Sequence, residues 1–168
     1  MLSAISILAY QSSDIFKQRV DEVIIETIEY KEVGNVNTSI GTRLSFFENT
    51  LEIIKDNLLF GVGTGGFPKA YVAYSQLNSP DGYKSTNPHN MYLLAMSQFG
   101  LIGLLSLLSI YYYQFICRTR DGSYLSNLGL GLMTFFLVIN FSDSYLLGHF
   151  TSFQFVFLSA FLFLSEKN

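Results

Sequence analysis

Asn87-Pro88-His89-Asn90-Met91-Tyr92 runs directly into the apolar stretch Leu93 to Cys117. A histidine beside a carboxamide at the mouth of a membrane helix can exchange protons near neutral pH. An ionisable group at a membrane edge points to a functional site. The ordinary alternative is an interfacial histidine capping the following helix, with Pro88 at its entrance.

A second group, Ser39-Ile40-Gly41-Thr42-Arg43, places a guanidinium in the first turn of an amphipathic run. Arginine grips a phosphate or diphosphate with two parallel hydrogen bonds. A lone arginine is more commonly a solvated surface charge, as Lys55, Lys69 and Lys84 are taken to be. The third group is Gly61-Val62-Gly63-Thr64-Gly65-Gly66-Phe67. It lacks the Gly-Lys-Ser/Thr ending of a phosphate-binding loop, and no strand clearly precedes it. A tight turn that lets the backbone approach lipid, ligand or another helix fits Gly61, Gly63 and Gly65 better; a plain helix stop fits equally.

Other classes of chemistry are weaker. His149 is the second of two histidines, and no His/Asp/Glu spacing resembles a metal-ligand set. No metal or other cofactor is expected. Asp143 and His149 flank a late turn and could join His89, although spacing alone does not show it. Cys117 is the single cysteine, which excludes an internal disulfide framework. A net charge of −3 leaves no nucleic-acid footprint.

These residues must be held by helices, and charge shows where those helices meet lipid. Charged residues make up 14% of the chain, against about 25% in an average soluble domain. From Leu93 onward they are confined to Arg118, Arg120, Asp121, Asp143, Glu166 and Lys167. The front is polar and the back is lipid-soluble. The expected fold is all-α: polytopic membrane helices with a long extracytoplasmic loop that contains amphipathic helices.

Residues 1–10 read as the end of a membrane helix or an interfacial anchor. Residues 11–90 read as the extracytoplasmic loop with the site residues. Within it, 14–32 fits an amphipathic helix, and 33–38 is a linker. In the amphipathic helix that starts near Ser39, Leu44, Phe47, Leu51, Ile54 and Leu58 form one apolar stripe, with Thr38 or Ser39 as cap. Phe67 to Ser75 forms a short helix, and Ser79-Pro80-Asp81-Gly82 a turn. Residues 91–168 are expected to hold three transmembrane helices, over 91–117, 124–141 and 145–165. The short basic loop Arg118-Thr119-Arg120 falls in the cytoplasm by the positive-inside rule, and Lys167 agrees. The long loop then lies outside.

The order and spacing of four blocks closely resemble the O-antigen ligase and O-antigen polymerase family of bacterial membrane proteins. The blocks are Thr38 to Arg43, Asn57 to Phe67, Asn87 to Leu93, and Gln98-Phe99-Gly100-Leu101-Ile102-Gly103. The resemblance covers Ser39 to Leu105 strongly and the later spans loosely. It implies a membrane glycosyltransferase whose donor is a glycan on undecaprenyl diphosphate. The acceptor is lipid A–core for a ligase, or another glycan for a polymerase. It implies that Arg43 holds the diphosphate, that His89 activates the acceptor hydroxyl, and that Asn90 and the glycines support them, with no metal or nucleotide. It also implies a bacterial inner-membrane location.

Three departures stand out. Phe46 and Phe47 occur where the family commonly has tryptophan after the arginine, and Leu58 lies where a proline is common. The family has many more spans before the loop, so missing amino-terminal helices would be partners of this chain. Arg19 matches no motif. A non-catalytic membrane packing protein, or a degenerate remnant that only packs against partner helices, is the rival reading.

The topology is directly testable. In a Cys117→Ser background, a cysteine at Ser79 should react with an impermeant thiol reagent on intact cells and a cysteine at Thr119 should not. The reverse pattern would invert the assignment.

Overall fold

The computed structural model describes residues 10–78, 84–119 and 124–164. The proposed turn at Ser79 to Gly82, Arg120, Lys167 and nearly all of the amino-terminal anchor lie outside them. The described residues are helical, without strands. The elements are α1 (Asp14–Val33), α2 (Ser39–Asp56), α3 (Phe67–Asn78), α4 (Met91–Thr119), α5 (Tyr124–Ile139), a 3-10 turn (Tyr145–Leu147) and α6 (His149–Leu164).

Local chemistry sets the helix ends. Ser13 caps α1, its hydroxyl accepting from the Phe16 N–H, and Gly34 ends it in the left-handed conformation. Thr38 rather than Ser39 caps α2, accepting from the Gly41 N–H at 3.0 Å. The α1–α2 hairpin is tied by Tyr30 donating to Glu48 at 2.6 Å and the Ile40 N–H donating to Glu26 at 2.8 Å.

The face of α2 that packs inward differs from the expected apolar stripe. Of that stripe only Ile54 is buried; Phe47 and Leu58 are exposed. The buried face carries Ser45, Phe46, Asn49, Thr50 and Ile53. Polar residues can pack there because they satisfy themselves within the helix. The Asn49 amide donates to the Ser45 carbonyl at 2.9 Å and the Thr50 hydroxyl to the Phe46 carbonyl at 2.6 Å. Phe46 and Ile53 then join Phe67, Tyr71 and Leu94 in one core cluster. A second cluster, Ala95, Leu107, Tyr111, Phe136 and Phe155, binds α4 to α5 and α6. Met91 packs against both clusters and joins them.

By length and composition Met91–Cys117 could cross a membrane; Leu125–Ile139 and His149–Leu162 are apolar but shorter. Gly100 breaks the long helix, with φ 65° and ψ −157°. The break is a sharp bend. Asn140 accepts from the Met91 N–H at 2.9 Å and donates from its side chain to the Tyr111 hydroxyl at 2.8 Å. A straight helix would hold Met91 and Tyr111 about 30 Å apart, far beyond the reach of one residue. The segment after the break, Leu101–Thr119, is about 28 Å long, close to the ~30 Å of a hydrocarbon core.

The glycine block repairs the break. The Val62 N–H donates to the Ser97 carbonyl at 2.9 Å, Gly63 N–H to Gln98 at 2.9 Å, and Leu101 N–H to Leu58 at 2.8 Å. Backbone groups freed by the bend thus find partners, as an apolar environment demands. The approach needs glycine on both sides. A Cβ on Gly61 would lie 2.3 Å from the Gln98 backbone, and one on Gly100 2.2 Å from that of Leu59.

Gly100→Ala should therefore destabilise by about 3 kcal/mol or more, combining a backbone region reserved for glycine with an overpacked contact. Gly63→Ala, with φ 88° but open space around it, should cost about 1–2 kcal/mol. Thermal unfolding of the two variants in detergent would rank them; equal losses would dissolve the distinction.

Candidate active site

The site assembles where three segments meet: the loop before α4, the turn between α5 and the 3-10 element, and the middle of α2. Asn90 is the capping residue of α4. Its side-chain oxygen accepts from the Tyr92 and Leu93 N–H groups at 3.0 and 3.1 Å, and its amide donates to the Phe141 carbonyl at 3.1 Å. The carboxamide therefore does the capping that sequence reasoning offered to His89, and the imidazole is left for other work.

His89 is held on three sides. Its backbone N–H donates to Asn87 Oδ1 at 3.0 Å. Its Nδ1 lies 3.2 Å from Asp143 Oδ1. Its ring stacks on Phe46 with centroids 5.6 Å apart and planes 16° from parallel. The residue has φ 53°, unique in sign among the described non-glycine residues. Such a conformation persists only where the surroundings impose it, and it clusters at functional sites.

Asp143 is itself fixed. Its Oδ1 accepts from the Ser144 N–H at 2.6 Å and from the Asn87 amide at 3.4 Å. The Ser144 hydroxyl donates to Asn87 Oδ1 at 2.6 Å. Asn87 thus ties the histidine loop to the α5 turn. A carboxylate at Nδ1 favours the tautomer with hydrogen on that nitrogen and the lone pair on Nε2. Nε2 has no hydrogen-bond partner among the described residues, and the side chain is about half exposed. An oriented, accessible imidazole nitrogen is what general-base chemistry requires.

Arg43 is exposed on α2, one turn before Phe46. Positions three apart are neighbours on a helix surface, so Arg43 sits next to Phe46 along α2, facing outward where the Phe46 ring packs inward. Among the described residues Arg43 forms no ion pair; the pairs there are Arg19–Glu22, Lys55–Glu52 and His89–Asp143. Beneath Phe46, Tyr71 meets it edge-on at 5.6 Å. Burial pushes the Tyr71 hydroxyl up, with the polar side chains of Ser45 and Asn49 acting weakly in the opposite direction. Burial, then the Glu48 hydrogen bond, raises Tyr30. Both remain neutral and keep the α2 packing uncharged.

The structure brings together His89, Asn90 and Asp143, with Arg43 on the adjoining helix. His149 does not join them; it opens α6 with its side chain exposed. Gly61, Gly63 and Gly65 serve the helix break: their N–H groups go to the Asn57 carbonyl, the Gln98 carbonyl and Gln98 Oε1. That leaves them no donors for an anion. No group of three or more His, Cys, Asp or Glu comes together among the described residues. Sequence reasoning named no role for Asn87, Ser144 or Phe46. Phe46 had one usable signal, an aromatic at the position where the related family commonly has tryptophan.

The fold and site define an all-helical protein with a helix long and apolar enough to cross a membrane, an oriented His–Asp pair, and an exposed arginine on the helix whose Phe46 stacks on that histidine. A family model described as O-antigen ligase matches residues 1–108, and the chain belongs to that family. Members are typically inner-membrane proteins acting on lipid-linked glycans. An uncharacterised protein of Haemophilus influenzae is 32% identical over 98 residues, which is 56% of this chain and 24% of that protein. The chain thus matches about a quarter of that relative's length.

Asn90→Ala should cost about 1–2 kcal/mol, the usual loss for a removed helix cap, together with the tie to Phe141. Asn90→Asp keeps the acceptor and should recover most of the cap. Thermal unfolding of both would check this; an Asp variant as weak as Ala would remove the capping role.

Proposed function

We propose that the chain is part of a membrane glycosyltransferase that moves a glycan from an undecaprenyl-diphosphate donor at the extracytoplasmic membrane face. The acceptor is a hydroxyl of lipid A–core, or of another lipid-linked glycan if the enzyme polymerises. In this reading Leu101–Thr119, α5 and α6 cross the bilayer, and the polar front and the α5 turn share its outer side. The observation that carries it is the His89–Asp143 pair, which engages Nδ1 and leaves Nε2 free for a proton, on a ring that stacks against the helix bearing Arg43.

The chemistry follows from those positions. The acceptor hydroxyl attacks the anomeric carbon while Nε2 of His89 takes its proton. The bond from that carbon to the diphosphate oxygen breaks, and the diphosphate leaves with the electron pair. Arg43 binds it and stabilises the charge that grows on it. Attack opposite the leaving group inverts the anomeric carbon. The diphosphate supplies the driving force, so no nucleotide is needed outside the cytoplasm. Asp143 holds the imidazole and stabilises the imidazolium once it forms, as a carboxylate does in other His–Asp pairs.

Activity should fall at least about 100-fold in His89→Ala and Arg43→Ala of the full-length protein, with membrane levels unchanged. His89→Ala should keep more donor affinity than Arg43→Ala does. Arg43→Lys should recover only part, because an ammonium cannot form the two-pronged contact. Asp143→Asn should lose about 10²- to 10⁴-fold in rate with little change in KM, since it disturbs the tautomer and not the binding groups. Wild-type glycan display from a stably expressed His89→Ala protein would refute the base assignment.

The 168-residue chain by itself should be inactive. A lipid diphosphate needs several donors, and one arginine here is well placed. Transfer should appear only when further membrane helices of the same protein are supplied, in cis or as a co-expressed fragment. Robust transfer by this chain alone in liposomes would overturn that expectation.

A further inference from the structure

The turn that follows α2 exposes three consecutive large apolar side chains, Leu58 at 49%, Leu59 at 57% and Phe60 at 73%. No charged residue lies between Asp56 and Lys69. A run of this kind at a loop tip marks an interaction surface. Its position identifies the partner. The Leu58 carbonyl accepts from the N–H of Leu101, the first residue after the bend in α4. Leu59 lies against Gly100, so closely that a Cβ there would overlap its backbone. The tip is therefore fixed to the start of the segment Leu101–Thr119.

That segment is about as long as a hydrocarbon core is thick, which sets Leu101 at the hydrocarbon edge. Around the tip, Phe99, Leu101, Ile102 and Leu105 are also exposed. Tip and helix thus present one continuous apolar belt at the level where acyl chains meet headgroups. On α2 itself Phe47 is also exposed, one turn beyond Arg43 along the helix. We infer that the Leu58–Phe60 tip is a lipid anchor that inserts into the upper acyl region of the bilayer beside α4 and sets the depth of the α2 helix carrying Arg43. The partner is lipid, not another protein surface. The backbone geometry suits this, because the break it repairs would otherwise leave amide and carbonyl groups open at an apolar boundary. The inference rests on the proposed crossing by Leu101–Thr119 and not on the transfer chemistry.

The chain contains no tryptophan, so one introduced indole reports its own surroundings. Phe60→Trp and, as an independent probe of the tip, Leu59→Trp would be placed in phosphatidylcholine vesicles. The acyl chains would carry bromine either near the glycerol end or near the methyl end. Leu108→Trp, on the outer side of the same helix and deeper, would report the crossing itself. An anchor about 5–10 Å below the headgroups predicts blue-shifted emission from both tip probes. It also predicts about two-fold quenching by the shallow bromines, less by the deep ones, and little by aqueous iodide, whereas Leu108→Trp should favour the deep bromines. Tip emission quenched by iodide and not by bromine would place the tip in water and overturn the inference. Resistance to both quenchers would mean that protein covers it, and would overturn it equally. If Leu108→Trp also escaped bromine, the crossing would fall and the inference with it, whatever Arg43 and His89 do.

Discussion

A helix that breaks within an apolar stretch must find new partners for the backbone groups it frees, and here a glycine-rich loop provides them. The bend at Gly100 releases carbonyls at Ser97 and Gln98 and the N–H of Leu101; Val62, Gly63 and Leu58 take them up. The exchange works only at backbone-to-backbone distance, which is why both strands of the contact carry glycine. Because the loop leaves α2 and enters α3, those helices are fixed to α4 by main-chain bonds as well as by packing. The relative placement of Arg43 and His89 depends on that clamp.

The site shows how a single imidazole is made specific without deep burial. Its backbone is held by Asn87, its Nδ1 by Asp143 and its face by Phe46. Asn87 and Asp143 are also bound to each other and to Ser144. With Nδ1 engaged, Nε2 is the ring nitrogen left without a partner among the described residues. The aromatic stack restricts the ring plane, and the core cluster below keeps Phe46 in place. Arg43, by contrast, is left exposed and unpaired by acidic side chains among the described residues. That is the condition in which a guanidinium is available to an external diphosphate.

Polar and apolar roles on α2 are inverted relative to a simple amphipathic helix. Ser45, Asn49 and Thr50 face the core, while Phe47 and, just past the helix end, Leu58 face out. The inward polar groups return hydrogen bonds to their own helix and lose little by burial. The outward apolar groups remain available to an apolar environment, which agrees with a family whose members reside in membranes.

Sequence alone determined the helical class, the polar front and apolar back, and the residues with chemical potential. Those properties are written in local periodicity, charge distribution and motif spacing. Thr38 as cap and Gly34 as stop follow from single-residue preferences of the same kind. Tertiary structure alone decided that Asp143 meets His89, that Phe46 is the histidine's platform, and that Met91 and Tyr111 both reach Asn140. Each joins residues far apart along the chain, through a bend whose angle no periodicity encodes. Met91 to Cys117 reads as one continuous apolar helix because hydropathy is blind to backbone torsion. A glycine in the left-handed half of conformational space turns it where a neighbouring loop can satisfy the exposed amides.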